Sequence, residues 1–258
     1  MMLERRGLRF AAFCIVLVAA WQLVALLGIW PQYIFPAPAG VLSALWTGMS
    51  DGTFLLAALA SLQRMLIGFG IAFALGFTLG VAIARSRIVG DTAGQLVLGL
   101  QTLPSICWLP LAVLWFGLND AAILFVVVAG AVGSITMAIS SGIAHVPPLF
   151  INAARTMGAS GWNLYSKVIF PAALPAIIAG ARQGWSFAWR SLMAGELLFF
   201  SVGLGQLLQI GRELNDINQV AAVMLAILAV GLLTENLVFA SLERAVKRKR
   251  GLEQESGY

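Results

Sequence analysis

Charge is what this sequence has least of. Asp, Glu, Lys and Arg make up 10% of its 258 residues and hydrophobic residues 60%, whereas a soluble domain carries about 25% charge. An ordinary soluble domain is thereby excluded. Histidine is nearly absent, His145 being the only one. A bis-histidine haem needs two and a zinc site more ligands than this vicinity offers, so no metal site is expected and His145 reads as an interface residue. Cys14 and Cys107, the only cysteines, sit inside apolar runs and offer neither a disulfide framework nor a thiolate site. Outside the C-terminal tail the only lysine is Lys167, between Ser166 and Val168, and the phosphate-cradling Gly-x-x-x-x-Gly-Lys-Ser/Thr loop has no counterpart. No catalytic residue is assigned, and any ATP hydrolysis belongs to another polypeptide. The net charge of +5 comes without a basic stripe interleaved with aromatics, so nucleic acid is not an expected partner.

Long apolar runs are what the chain does have. A bilayer core takes about 20 such residues per helix, and runs of that kind fall at 10–30, 65–84, 96–118, 121–144, 175–200 and 220–242, the last two interrupted by charge. The expected fold is all-α, a polytopic transmembrane helical bundle of about six spans forming a single domain over 1–258. Cytoplasmic flanks retain Lys and Arg. With the N-terminus inside, Arg5, Arg6, Arg9, Arg85, Arg87, Arg155, Lys167, Arg182, Arg244, Lys247, Arg248, Lys249 and Arg250 lie on the inner side; only Arg64 and Arg212 fall outside, and Arg190 lies within a span. Two basic ends on one side demand an even number of spans. The first run is too long for a signal-peptide core and has a poor cleavage site, which favours a retained span. Pro31, Pro36, Pro38 and Gly40 mark an irregular outer segment, followed by a short interfacial helix from Val41 to Trp46 near Trp30 and Tyr33. The basic tail beyond Leu242 suits anionic lipid.

The long inner loop, 147–171, carries the most specific pattern. Asn152-Ala153-Ala154 is followed by three residues, Gly158, nine residues, and Val168-Ile169-Phe170-Pro171. Pro147 and Pro148 can open a helix, Ala154 and Gly158 share a face, and small side chains there let a partner approach the backbone. Gly158 with Ser160-Gly161 supplies a turn, Trp162–Val168 a second short helix, and Pro171 and Pro175 are expected to stop it before the fifth span. The spacing resembles the EAA loop of importer permeases of the ATP-binding-cassette superfamily, with Asn152 in place of the acidic residue. Phe35-Pro36-Ala37-Pro38, Ala60-Ser61-Leu62 with Arg64, Leu109-Pro110-Leu111 with Leu114-Trp115-Phe116-Gly117, and Gly203-Leu204-Gly205 are similar to the nitrate, sulfonate, taurine and bicarbonate group. The resemblance implies a plasma-membrane permease, in the inner membrane of a two-membrane bacterium. It also implies a second permease copy, a solute-delivering extracytoplasmic binding protein, and cytoplasmic ATPase subunits carrying the ATP and Mg. Asn152, Ala153, Ala154, Met157, Gly158 and Pro171 would then form the ATPase-coupling element.

Ionisable groups inside spans face a protein interior or a water-filled cavity. Arg182, Arg190 and Glu196 punctuate the fifth span. Arg190 can attract an anion or pair with a carboxylate such as Glu196 or Glu235; Arg182 reads as an interhelical pair or a snorkelling end group. Trp185 and Trp189, four apart, form a constriction, a cation–π contact or aromatic packing. Pro104 and Pro110 bend the third span, and Gln101, Thr102 and Ser105 gather at the bend. Gln101, Ser105, Trp185, Trp189, Arg190 and Glu196 are thus the pathway candidates. Gly68, Ala72, Gly76, Gly80 and Ala84 recur every four residues and form a stripe for close helix packing. A membrane anchor of a redox complex is disfavoured by the lone histidine, and a secondary carrier by the lack of an inverted repeat.

Overall fold

A computed structural model describes residues 2–31, 33–199, 201–242 and 246, and no strand occurs among them. The helices are α1 (Met2–Leu26), α2 (Pro38–Ser50), α3 (Thr53–Arg85), α4 (Arg87–Gln101), α5 (Ser105–Phe116), α6 (Asp120–Ala144), α7 (Pro148–Thr156), α8 (Gly161–Glu196), α9 (Leu204–Glu213) and α10 (Ile217–Ala240). The chain divides into two compact units, Met1–Ala60 with Val202–Ala229 and Ser61–Ser201 with Val230–Tyr258.

The larger unit is organised around α6. Asn119 opens it, its side-chain oxygen accepting from the Ala121 and Ala122 N–H groups at 2.9 and 3.3 Å. Ile123, Val126, Val127, Ala131, Ile135 and Ile139 then have no exposed surface. The small-residue stripe of α3 lies against this helix. A Cβ on Gly68 would sit 2.7 Å from Val127 Cγ1, on Gly76 2.8 Å from Ile135 Cγ2, and on Gly80 2.7 Å from the Thr136 carbonyl oxygen. Ala72 is fully buried and Ala84 half-buried. On an adjoining face α6 meets α8 in the same manner, Gly180 against Ala138 and Gly184 against Ile135, the residue that also meets Gly76 of α3, while a Cβ on Gly142 would stand 2.7 Å from Ala176 Cβ. Backbones held this close gain dispersion contacts over the helix length, the principal attraction available between spans.

The smaller unit is built by turns. Pro38 starts α2 where its missing N–H costs nothing, and the Trp21 indole donates to the Pro36 carbonyl at 2.9 Å. Gly40 faces Asn218 without room for a side chain. The Thr53 N–H donates to Asp51 Oδ1 at 2.9 Å and holds that carboxylate below its ordinary range. Asp216 caps α10 by accepting from the Asn218 and Gln219 N–H groups.

Four helices, α3, α6, α8 and α10, are long and apolar enough to cross a membrane, and the α4–α5 pair, bent by 100°, would make a fifth. The apolar part of α1, Ala11–Leu26, is shorter. Several sequence expectations need correction. The bend comes at Pro104, which lacks an N–H and itself leaves the helical region with φ −55° and ψ 138°. Pro110 falls in the opening turn of Leu109–Phe116, the α-helical segment of α5 after its 3₁₀ start at Ser105–Trp108, where no bond is lost. The interfacial helix runs from Pro38 to Ser50 rather than from Val41 to Trp46. Pro171 and Pro175 do not stop α8, which continues through both to Glu196. A π-turn over Tyr165–Ile169 shifts the bonding register just before Pro171, placing that proline in the opening turn of the segment after it. The tail residues Arg244, Lys247, Arg248, Lys249 and Arg250 lie outside the described residues, as do the side chains of Arg5 and Arg6.

The close approach predicts a contrast within one helix. Gly80→Ala should cost about 1–3 kcal/mol through overpacking against the Thr136 carbonyl, whereas Gly70→Ala, which meets nothing within 4 Å, should be neutral or slightly stabilising. Thermal unfolding of the two variants in detergent measures the difference.

Candidate functional site

The break after Gln101 opens a cavity of about 960 Å³ in the larger unit, bounded by α4, α5, α6 and α8. Gln101, Thr102, Ser105, Ser134, Gln183 and Arg190 supply its polar wall, and Trp108, Trp115 and Phe187 part of its apolar wall. Glycines set the approach. At Gly133 a Cβ would stand 2.8 Å from Gln101 Cγ, and at Gly130 3.2 Å from Ser105 Cβ, so both side chains lie directly on the α6 backbone. The Arg190 guanidinium lies over the Phe187 ring at 4.6 Å, and its Nε donates to the Ser186 carbonyl at 3.2 Å. Among the described residues no carboxylate pairs with it.

A second hollow of about 560 Å³ lies between α6 and α8 toward the 147–171 loop, lined by Ser141, Gly142, His145, Ala176, Gly180 and Gln183 among others. Gln183 lines both spaces. Along α8 the lining residues Ala172, Ala176, Ala179, Gln183, Phe187 and Arg190 recur at three and four, which puts them on one face. His145 faces this hollow, its Nδ1 2.7 Å from the Ser141 carbonyl oxygen.

The other pathway candidates are placed elsewhere. Glu196 is fully buried; both its oxygens accept from Ser61 Oγ, at 2.9 and 2.7 Å, and Oε1 lies 3.0 Å from Arg64 Nη1. Arg64 Nε reaches Asp120 Oδ1 at 3.0 Å, so one arginine joins α3, α6 and α8. This cluster escaped sequence reasoning because Arg64 and Glu196 are far apart in the chain. Arg182 pairs with Glu235 at 2.8 Å, leaving neither expected carboxylate for Arg190. Trp185 packs edge-on to Phe69 and Phe239, with centroids at 5.1 and 5.9 Å. Trp189 lies against α10 at Gly231, where a Cβ would meet its Nε1 at 3.0 Å.

The loop residues form an exposed knob. Asn152, Ala153, Met157 and Gly158 are exposed and Ala154 is half-buried against the core. Gly158 takes φ +86°, the Ala159 N–H donates to the Ala154 carbonyl and the Gly158 N–H to the Arg155 carbonyl, both at 2.9 Å. That bonding is a Schellman cap, which wants a left-handed residue at the position of Gly158. The glycine therefore serves the backbone first, since a Cβ there would meet nothing within 4 Å. Leu149, Phe150, Met157 and Trp162 are each more than half exposed around it. Pro171 is exposed and lies inside α8, after the π-turn.

Comparison with known proteins gives one answer. The profile of the family described as "Binding-protein-dependent transport system inner membrane component" matches residues 67–251. The chain is 33% identical over 217 residues to "Putative aliphatic sulfonates transport permease protein SsuC" of Escherichia coli, covering 82% of this chain and 81% of that one. It is 30% identical over 225 residues to the taurine transport system permease protein TauC of the same organism, covering 85% and 82%. Among solved structures, the inward-facing MetNI methionine ABC transporter is similar in fold, with a TM-score of 0.67 at 20% identity over 75% of this chain and 96% of that one.

The buried cluster makes its own prediction. Arg64→Ala strands a carboxylate that has no exposure and should destabilise the protein by roughly 3–5 kcal/mol. Arg64→Met combined with Glu196→Leu should recover most of that loss, because both charges leave together. Unfolding midpoints in detergent for the single and double variants decide this.

Proposed function

The chain belongs to the family of binding-protein-dependent transport system inner membrane components, and from that membership we propose that it is the permease subunit of an ATP-driven importer for a small anionic solute of the sulfonate, taurine, nitrate or bicarbonate kind. In this reading it crosses the plasma membrane six times with both ends cytoplasmic, through α1, α3, the bent α4–α5 pair, α6, α8 and α10. An extracytoplasmic binding protein delivers the solute to the outer segments, which include α2 and α9. A second copy of the permease completes the pathway. Cytoplasmic ATPase subunits, holding ATP and Mg, dock on the 147–171 loop.

The observation that carries this reading is the capped α7 knob. Leu149, Phe150, Met157 and Trp162 stand exposed on a loop flanked by Arg85, Arg87, Arg155 and Lys167, the side that retains positive charge. Exposed large apolar side chains on a polar loop mark a surface that a protein partner covers. Asn152 stands where the family's pattern has Glu, so its contact with the ATPase is a hydrogen bond rather than an ion pair. The groove along α8, from Arg190 through Gln183 to His145, is this subunit's wall of the pathway.

Co-purification of an ATP-binding subunit, and ATP-dependent uptake of taurine or methanesulfonate into proteoliposomes supplied with the binding protein, are the expected results. Uptake without ATP, or a haem absorption band, would overturn the assignment in favour of a carrier or a redox anchor. The knob gives a sharper check. Gly158→Val forces a β-branched residue into the left-handed region, at a cost of at least about 1–2 kcal/mol at the cap, and should lose the ATPase on purification. Gly158→Asn, which tolerates that backbone, should keep it. A Gly158→Val complex with full uptake sinks the docking role.

A further inference from the structure

We propose that the cavity at the α4–α5 break holds a solute oxyanion between the Arg190 guanidinium and the Ser134 hydroxyl, so that the permease reads the charge of its solute independently of the binding protein. The inference rests on the importer reading and adds a recognition site within this chain.

Two independent observations meet in the cavity. Arg190 lines it without a described carboxylate partner, although Arg64 and Arg182 in the same unit are both neutralised at 3.0 Å or less. A guanidinium at membrane depth faces a water-filled space or an anion, because hydrocarbon cannot solvate it. The second observation is Ser134, which is 5% exposed, lines the same cavity, and has an Oγ with no hydrogen-bond partner. Serines and threonines inside helices usually return their hydroxyl to the carbonyl four residues back. Here Thr136 does so to Val132 at 2.7 Å and Ser191 to Phe187 at 2.8 Å. Ser134, two residues from Thr136 on α6, keeps its hydroxyl free. A buried hydroxyl without a partner costs free energy unless a ligand or water completes it.

The chemistry of the pair selects the ligand class. A planar guanidinium offers two parallel N–H donors to two oxygens of a sulfonate or a similar oxyanion, and a hydroxyl can donate to a third. The Gln101 carboxamide, laid on Gly133 next to Ser134, adds N–H donors at the same wall. Among the described residues no carboxylate lines the cavity, so none of them repels an anion there. A neutral sulfone of the same shape presents no charge for the guanidinium and should be excluded.

Equilibrium dialysis of radiolabelled methanesulfonate against the solubilised permease–ATPase complex, with no binding protein present, tests the site. Saturable binding is expected, with dimethyl sulfone failing to compete. Arg190→Gln should raise the dissociation constant roughly tenfold or more and Arg190→Lys by less, because lysine keeps the charge and loses the fork. Ser134→Ala should raise it about threefold to tenfold, the range of one hydrogen bond. Each variant is first shown to co-purify with the ATPase; if Arg190→Gln fails to assemble, Ser134→Ala carries the test. Absent saturable binding, equal competition by dimethyl sulfone, or an unchanged constant in assembled Arg190→Gln or Ser134→Ala overturns the site. The importer reading fails on a different measurement, the absence of an ATPase from the purified wild-type protein.

Discussion

Lipid hydrocarbon is as apolar as leucine, so the hydrophobic effect that drives helices together in water contributes little between spans, and close backbone approach has to replace it. In the larger unit that constraint falls on α6. Gly68, Gly76 and Gly80 bring α3 against it, Gly180 and Gly184 bring α8 against it, and its own Gly130 and Gly133 admit the side chains of Ser105 and Gln101. The residues that α6 buries are mostly Ile, Val and Ala, whose stiff or absent rotamers lose little on packing. The cavity follows from the same arrangement. α3 and α8 hold adjoining faces of α6, the chain bends by 100° between α4 and α5, and the space at the bend is lined by α6 and α8.

Three arginines enter this framework and meet three environments. Arg64 is enclosed and satisfied by Glu196 and Asp120, with Ser61 holding both oxygens of Glu196. Burying Arg64 and Glu196 is costly, and that cost is offset only while each keeps its partner, so the cluster ties α3, α6 and α8 together. Arg182 pairs with Glu235, both partly exposed. Arg190 lies on the cavity face of α8, over Phe187. Six residues separate Arg190 from Glu196, a little under two turns, and that spacing turns one toward the cavity while the other enters the buried cluster.

The apolar runs that became α3, α6, α8 and α10, the small-residue stripe, the spacing of the 147–171 loop and the bend at Pro104 were legible in the sequence, because each depends on local composition or a fixed interval. The family was legible for the same reason, since Ala153, Ala154 and Gly158 sit at set distances from Pro171. What escaped depended on pairing across the chain. Nothing in the surroundings of Glu196 names Ser61 or Arg64, and nothing around Glu235 names Arg182. Trp185 and Trp189 share a helix face by spacing, yet they pack against Phe69 and Gly231, which only the tertiary arrangement supplies. Pro171 and Pro175 misled for a local reason. Proline reads as a stop, and the π-turn at Tyr165–Ile169 that absorbs it has no marker in sequence.

The continuity of α8 matters for function, because it connects the exposed α7 knob to the buried cluster. A helix stopped at Pro171 would leave the α7 knob on a hinge, free to move without disturbing the helices that follow. Instead α8 runs unbroken from Gly161, beside the Gly158 cap, past Gln183 and Arg190 to Glu196 in the buried cluster. A continuous helix resists bending far more than a loop does, so in the importer reading proposed above a displacement of the knob by an ATPase would be carried along α8 to the cavity wall. The Tyr165–Ile169 π-turn and Pro175, where ladder bonds are shifted or missing, are the compliant points along that path. The far end is anchored by a fully buried carboxylate. The face that bears Gln183, Phe187 and Arg190 lies between the knob and that anchored end.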